Sequence, residues 1–155
     1  MCRSMIRIST LSDVQWMMNL SYAKRLDYSK IQPHFWKMSE NSNEVQSQFF
    51  NEEIAKDDVI SLCNANNLGF IIGKLIHPPE VYDAGLTLMI DDFCVKTHNL
   101  WISVGKELLE GCIKISKDRG AKQVLVVCGN HDTHKNSLLT QMNLLPASTW
   151  YTKQI

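Results

Sequence analysis

Two adjacent carboxylates, Asp91 and Asp92, lie in the apolar run GLTLMIDDFCV, and two small residues, Ser103 and Gly105, follow past a short loop. The run has the composition of a buried strand, and the residues after the loop open a helix. At a helix start the backbone N–H groups lack intrahelical acceptors, and the helix dipole favours negative charge. Small side chains let a phosphate approach those groups closely. The segment therefore predicts a place where a phosphate-bearing ligand sits beside a carboxylate. Neighbouring strand residues point to opposite faces, so one of the two acids faces any given pocket unless a bulge intervenes. The competing reading puts one acid in solvent and the other on a backbone cap or a lysine.

The elements that must position these groups follow from hydrophobic periodicity. Ile6 to Ser9 alternates as a short strand, and Ser12-Asp13 caps a helix whose inward stripe is Val14, Met17, Met18 and Tyr22. Asp27 to Ser47 is polar with scattered aromatics and predicts a loop plus short helix, either a substrate mouth or an irregular connector. Gln46 to Lys56 reads as a helix. Val59 to Cys63 and Leu68 to Ile76 are apolar runs split by the polar NANN, a hairpin signal. Leu86 to Val95 is the long acid-bearing strand. Val104 to Lys117 is a helix stopped by Arg119-Gly120. Lys122 to Cys128 holds the unbroken apolar VLVVC of a central strand buried on both faces. Asp132 caps a helix to Met142, and Thr149 to Lys153 predicts a last strand. The expected fold is α+β: a mixed, mostly antiparallel sheet flanked by helices, with one βαβ crossover joining the parallel strands 86–95 and 122–128.

Composition bounds the rest. The 155 residues suit a single domain over 1–155, with 16 basic and 16 acidic side chains that cancel. That balance argues against a broad basic surface for nucleic acid. No run approaches the ~20 apolar residues of a membrane span, and MCRSMIRIST lacks a signal-peptide core. Met1 and Met5 are both possible starts, since patterning begins at Ile6. Five cysteines (Cys2, Cys63, Cys94, Cys112, Cys128) form no CxxC pair and leave an odd count, the usage of reduced thiols in a cytoplasmic protein. His131 and His134 share an i, i+3 spacing but lack a third ligand in register, so no metal is expected.

The order of elements resembles the GNAT superfamily of N-acetyltransferases over nearly the whole chain. That family follows a strand ending in Val with Arg/Gln-x-x-Gly-x-Gly/Ala. Here the strand ends at Val95, and Gly105 falls ten residues on, in register with the last glycine. Leu100 stands where the family has Arg or Gln, and Trp101 where it often has Gly. The resemblance implies acetyl-CoA as cosubstrate. Its pyrophosphate would lie against Leu100, Trp101, Ile102, Ser103, Val104, Gly105 and Lys106. Backbone N–H groups around Phe93, Cys94 and Val95 would polarise the thioester carbonyl. Cys94 itself reads as a small buried thiol, since nothing in the sequence places a base beside it.

The strand is also similar to the G-x-T-x-x-[LI]-[ED]-D-F-x-V pattern of diamine (spermidine/spermine-type) acetyltransferases. This implies Asp91 as the group that relays a proton from the amine, with Asp92 second. An alkyl ammonium of pKa about 10 must lose a proton before it attacks, and an ordinary carboxylate does this through water or with a raised pKa. The family's Tyr-x-x-x-Gly pattern falls on Leu139 and Asn143, so the general acid is left open among Tyr151, Ser137, His134 and water. The implied activity is N-acetyl transfer to a primary amine of a small molecule or peptide, by direct attack in a ternary complex. The alternative is a non-catalytic acyl-CoA-binding or interaction module on the same fold. Expected partners are the amine and, potentially, a second copy as a homodimer, with no nucleic acid and no membrane.

Overall fold

The computed structural model describes residues 5–155. Met1 and Cys2, to which the start-site and cysteine readings referred, lie outside the described residues. A five-stranded sheet runs in the order β1 (Ile6–Ile8), β2 (Val59–Asn64), β3 (Gly69–Ile76), β4 (Thr87–Val95) and β5 (Gln123–Val126). Every neighbouring pair is antiparallel except β4 and β5, which are parallel. The helices are α1 (Val14–Ile31), α2 (Ser42–Ile54), α3 (Lys106–Asp118) and α4 (Thr133–Gln141). The crossover between β4 and β5 passes through α3, as expected of a parallel pair.

Both sheet faces are covered. Val14, Met17 and Phe50 of α1 and α2 pack on Phe70, Ile72 and Cys94. Leu108, Leu109, Cys112 and Leu138 of α3 and α4 pack on Ile71, Leu88, Ile90 and Phe93. This double cover is why β2 and β3 read as apolar runs rather than as alternating strands. Local signals end the elements where the patterning predicts. Asn67 takes a positive φ of 57° in the β2–β3 turn, and Gly120 stops α3 at φ 94°. Asn143 stands at the family's Gly position with φ 63°, a left-handed helix stop that Asn tolerates. Before α1, Asp13 is buried and accepts two hydrogen bonds from Arg7 and one from Trp16, which ties the helix start to β1. The Arg7 guanidinium holds this carboxyl well below the usual range.

Four expectations change. First, α1 runs on to Ile31, because Tyr28 in its last turns packs on Trp36 and His131. The expected loop and short helix over 27–47 are thus helix, a turn region and the start of α2. Second, the inward stripe of α1 is Val14, Met17 and Ser21, with Tyr22 at the exposed margin. Third, β5 is an edge strand only half covered, with Leu125 42% exposed and Val127, just past its end, 45% exposed. Its apolar run cannot report whether a further strand lies beside it. Fourth, Thr149 to Lys153 forms no strand. A strand needs a hydrogen-bonded neighbour, and this tail runs in solvent with Trp150, Tyr151 and Ile155 exposed.

Candidate functional site

The two acids are separated by a β-bulge. The β3–β4 register passes from Ile72 opposite Asp92 to Gly73 opposite Ile90, so Asp91 is the extra residue. Asp91 is exposed and Asp92 is partly buried. Beyond the bulge alternation resumes: Phe93 enters the α3/α4 core, and Cys94 enters the α1/α2 core. Burial pushes the Asp92 pKa up to about 6, against the pull of Lys24, while Asp91 adds to the rise. The sequence-based preference for Asp91 over Asp92 therefore meets a structure in which Asp92 is the acid with a base-like environment.

The bulge coincides with the place where the sheet opens. The parallel β4–β5 ladder covers Thr87 to Ile90, and Val127 N–H donating to the Ile90 carbonyl at 2.9 Å is its last bond. Further on, β4 keeps β3 as a partner but has lost β5. Lys96 N–H bonds the Leu68 carbonyl on the β3 side at 2.8 Å. By the alternation of an antiparallel ladder, Phe93 and Val95 turn their backbone groups to the vacated side.

A cleft of about 560 Å³ lies at this end of the sheet. One wall is α1, through Leu20, Lys24 and Tyr28. The floor is Cys94, Val95 and the turn Lys96–His98, with Trp101 beside it. The far wall is His131–His134, the end of the loop and the first turn of α4. Asp132 joins the walls: it caps α4 through the Lys135 N–H at 3.2 Å and accepts the Tyr28 hydroxyl at 3.4 Å. Burial pushes the Tyr28 phenol up to about 12, offset in part by Lys24. Its ring packs edge-on against His131, whose Nε2 is buried without a partner. Burial opposes the charge on Lys24, but Cys94, Tyr28, Asp92 and Asp91 outweigh it and raise its pKa. Lys24, Lys30 and Lys96 face the cleft against Asp27 and Asp132, so its lining favours an anionic ligand.

The predicted anion cradle is built differently. A short 3₁₀ turn, His98–Leu100, runs into a π turn, Trp101–Gly105, before α3 begins. Trp101 is 4% exposed and meets Phe93 edge to face at 4.8 Å. A Cβ on Gly105 would come within 2.8 Å of the Trp101 ring and 3.3 Å of Leu138. The space over this glycine is thus occupied by the indole, because a bulky residue stands where the resemblance has a glycine. Ser103 and Ile102 are exposed outside the cleft lining, Val104 is in the core, and Lys106 pairs with Glu110 at 3.8 Å. Of the expected cosubstrate contacts, Cys94, Val95 and Trp101 line the cleft; Phe93 lies beneath it, and Leu100 is half-buried beside the core. Tyr151 is 94% exposed in the tail and is no part of the cleft lining. Leu139 is buried in the core. His98 and His134 stack at 4.9 Å, but among the described residues no three metal-ligating side chains converge. No described helix is long and apolar enough to cross a membrane.

Lysines 24 and 96, and the capping role of Asp132 in the far wall, complete the cleft beyond the residues singled out from sequence, and Lys135 lies buried behind it, its ammonium 5.6 Å from the ring of Trp101. Lys135 did leave a signal. With Leu138, Leu139 and Met142 it follows the i, i+3, i+4, i+7 pattern, which puts a lysine on the apolar face of α4.

No family model and no curated protein matches the sequence. Solved structures do. A single-substitution variant of the BH1408 protein from Bacillus halodurans superposes with a TM-score of 0.83 at 13% identity, over 97% of this chain and 98% of that one. A predicted acetyltransferase from Clostridium acetobutylicum, solved with acetyl-CoA, gives 0.71 at 12% over 96% and 94%. A transcriptional regulator from Bacillus halodurans C-125 gives 0.74 at 14% over 97% and 98%. At these identities the likeness is one of fold. The chain has the GNAT fold, a mixed five-stranded sheet flanked by four helices. The resemblance to the diamine branch has no counterpart among these structures.

Proposed function

We propose that the chain is an acetyl-CoA-dependent N-acetyltransferase acting on a primary amine of a small molecule or peptide. The observation that carries this reading is the parting of β4 and β5 at a bulge that leaves Asp92, with its raised pKa, outside the cleft lining but within the field of Lys24 in the cleft wall. A thioester arm would find backbone partners at Phe93 and Val95 where β5 has left them. Negative phosphates would meet Lys24, Lys30 and Lys96 in the cleft, in place of the arginine or glutamine absent at Leu100. The nearness of the Trp101 ring to Gly105, 2.8 Å from an added Cβ, argues against that glycine as the phosphate cradle. The amine attacks the thioester carbonyl directly, and Asp92 takes its proton, alone or through water, with exposed Asp91 drawing the cation in. The acetyl-CoA bound in the clostridial structure of the same fold supports the choice of cosubstrate.

Titration calorimetry with coenzyme A tests this first. The expected result is saturable binding at or below millimolar concentration, with acetylation of at least one member of a polyamine, amino-sugar and lysyl-peptide panel. Binding without transfer to any of these would favour the second reading, an acyl-CoA-binding or interaction module. Two observations support that second reading: the indole over Gly105 and the core leucine at 139. No heat with coenzyme A would remove the transferase and acyl-CoA-binding readings and leave the interaction module.

A further inference from the structure

Lys135 is a buried cation with no counter-ion. It is 1% exposed, and among the described residues no carboxylate lies within ion-pair distance of its ammonium. Its Nζ donates to the Val127 carbonyl at 2.9 Å, immediately past β5. The same Nζ sits 5.3 Å from the Phe93 ring centre on β4 and 5.6 Å from that of Trp101. The ammonium thus lies between the end of β5 and the rings of Phe93 and Trp101, next to the point where β5 leaves β4 and behind the indole that lines the cleft. One carbonyl satisfies one of its three donors, and the others face aromatic rings. A lone buried charge costs stability and is rarely kept for packing. A methionine would fill the same apolar face of α4 without that cost.

We propose that Lys135 is the general acid of the transfer, handing its proton to the sulfur that leaves. This rests on the acetyltransferase reading and fills the role left open by Leu139. In the step the amine nitrogen forms the C–N bond to the carbonyl carbon, and the C–S bond breaks with its electron pair on sulfur. Before attack the acceptor's ammonium gives one proton to solvent through Asp92; an N–H proton of Lys135 then passes to that sulfur, which leaves as the thiol, and the proton released from nitrogen on C–N bond formation passes to Asp92. Neutral Lys135 and protonated Asp92 then return to their starting forms by proton exchange through solvent. The surroundings suit the task. Burial and, after it, Lys24 on α1 lower the Lys135 pKa to about 8, against the pull of Cys128, Cys94 and Asp132. The ammonium therefore gives up its proton more readily than a solvated lysine, and both its forms are accessible near neutral pH.

The test compares two acetyl donors, acetyl-CoA and the acetyl thioester of para-nitrothiophenol, whose thiolate leaves without a proton. The acceptor is the amine of the panel that wild type acetylates fastest. Lys135→Met should lose about 10²-fold in kcat with acetyl-CoA and only a few fold with the activated thioester. Lys135→Arg keeps the charge but cannot release the proton, and should be as poor as the methionine variant with acetyl-CoA. In wild type, kcat with acetyl-CoA should fall above pH about 8, and this limb should vanish with the activated donor. Equal losses with both donors, or a fully active arginine variant, would overturn the acid role. Calorimetry with coenzyme A and thermal melts of each variant show that site and fold persist. If neither variant folds, the wild-type pH comparison decides: an alkaline limb common to both donors overturns the proposal. Absence of transfer by wild type itself overturns this proposal together with the acetyltransferase reading, whereas transfer that ignores Lys135 overturns this one alone.

Discussion

Asp92 and Asp91 differ by one position and by almost everything else. The bulge leaves Asp91 in solvent and turns Asp92 toward α1, where burial lifts its pKa to about 6. A carboxylate of that kind is a stronger base than an exposed one, and it is in its basic form only above its folded pKa. The acetylation rate should therefore rise as pH passes through about 6 from below. Asp92→Asn should lower kcat about 10²-fold, and Asp91→Asn should lower it by far less. Linkage gives the same residue a second signature. Between an unfolded pKa of about 4 and the folded value, the native state binds more protons, so Asp92 makes the fold less stable as pH rises across that window. Asp92→Asn should accordingly melt higher than wild type at neutral pH and show no gain at pH 3. Equal melting of the two proteins at neutral pH would mean that Asp92 carries no burial penalty. The sequence pointed to the pair and its resemblance put Asp91 first, whereas the burial that favours Asp92 depends on a register shift set across two strands.

At the scale of elements, the start of α3 is where expectation and structure part furthest. Spacing from Val95 put Gly105 in the right register for a phosphate cradle, yet the indole of Trp101 lies over it. The π turn and the edge-to-face contact with Phe93 make Trp101 a core residue. Trp101→Ala should cost about 3–5 kcal/mol by denaturant unfolding. Gly105→Ala should destabilise wild type through the close approach to the ring. In the Trp101→Ala background the same change should be neutral or stabilising, since the obstacle is gone and alanine favours helix by about 1 kcal/mol. A Gly105→Ala penalty of equal size in both backgrounds would show that Leu138, not the indole, sets the requirement. The wall of Lys24 and Tyr28 with His131 was legible only in part: the aromatics of 27–47 suggested a substrate mouth, but the packing of Tyr28 and Trp36 on His131 depends on segments far apart in the chain.

On the scale of the whole molecule, the sheet is complete without the last residues. Leu144 still packs on the α3/α4 core, but 145–155 are exposed and carry no regular structure. Removal of residues 147–155 should shift the melting temperature by less than about 2 °C, as expected for a segment that buries little. It should also leave the amine acetylation rate unchanged, since Tyr151 lies outside the cleft lining. A large loss of either property would give the tail a role that its exposure does not suggest.

Periodicity alone determined the number and order of the elements through α4, the β2–β3 hairpin and the parallel crossover around α3. These depend on local pattern: apolar runs covered on both faces, turn residues that accept positive φ, and caps such as Asp132. The acid pair and the strand end at Val95 were legible for the same reason. Tertiary structure decided which acid is buried, what fills the space over Gly105, whether the 149–153 segment finds a partner, and that an ammonium lies buried next to the point where β5 leaves β4. Each of those depends on groups brought together from distant parts of the chain, the Lys135 ammonium held by Val127 past β5 and the rings of Phe93 and Trp101 among them, and burial and electrostatic environment are properties of that assembly rather than of any one segment.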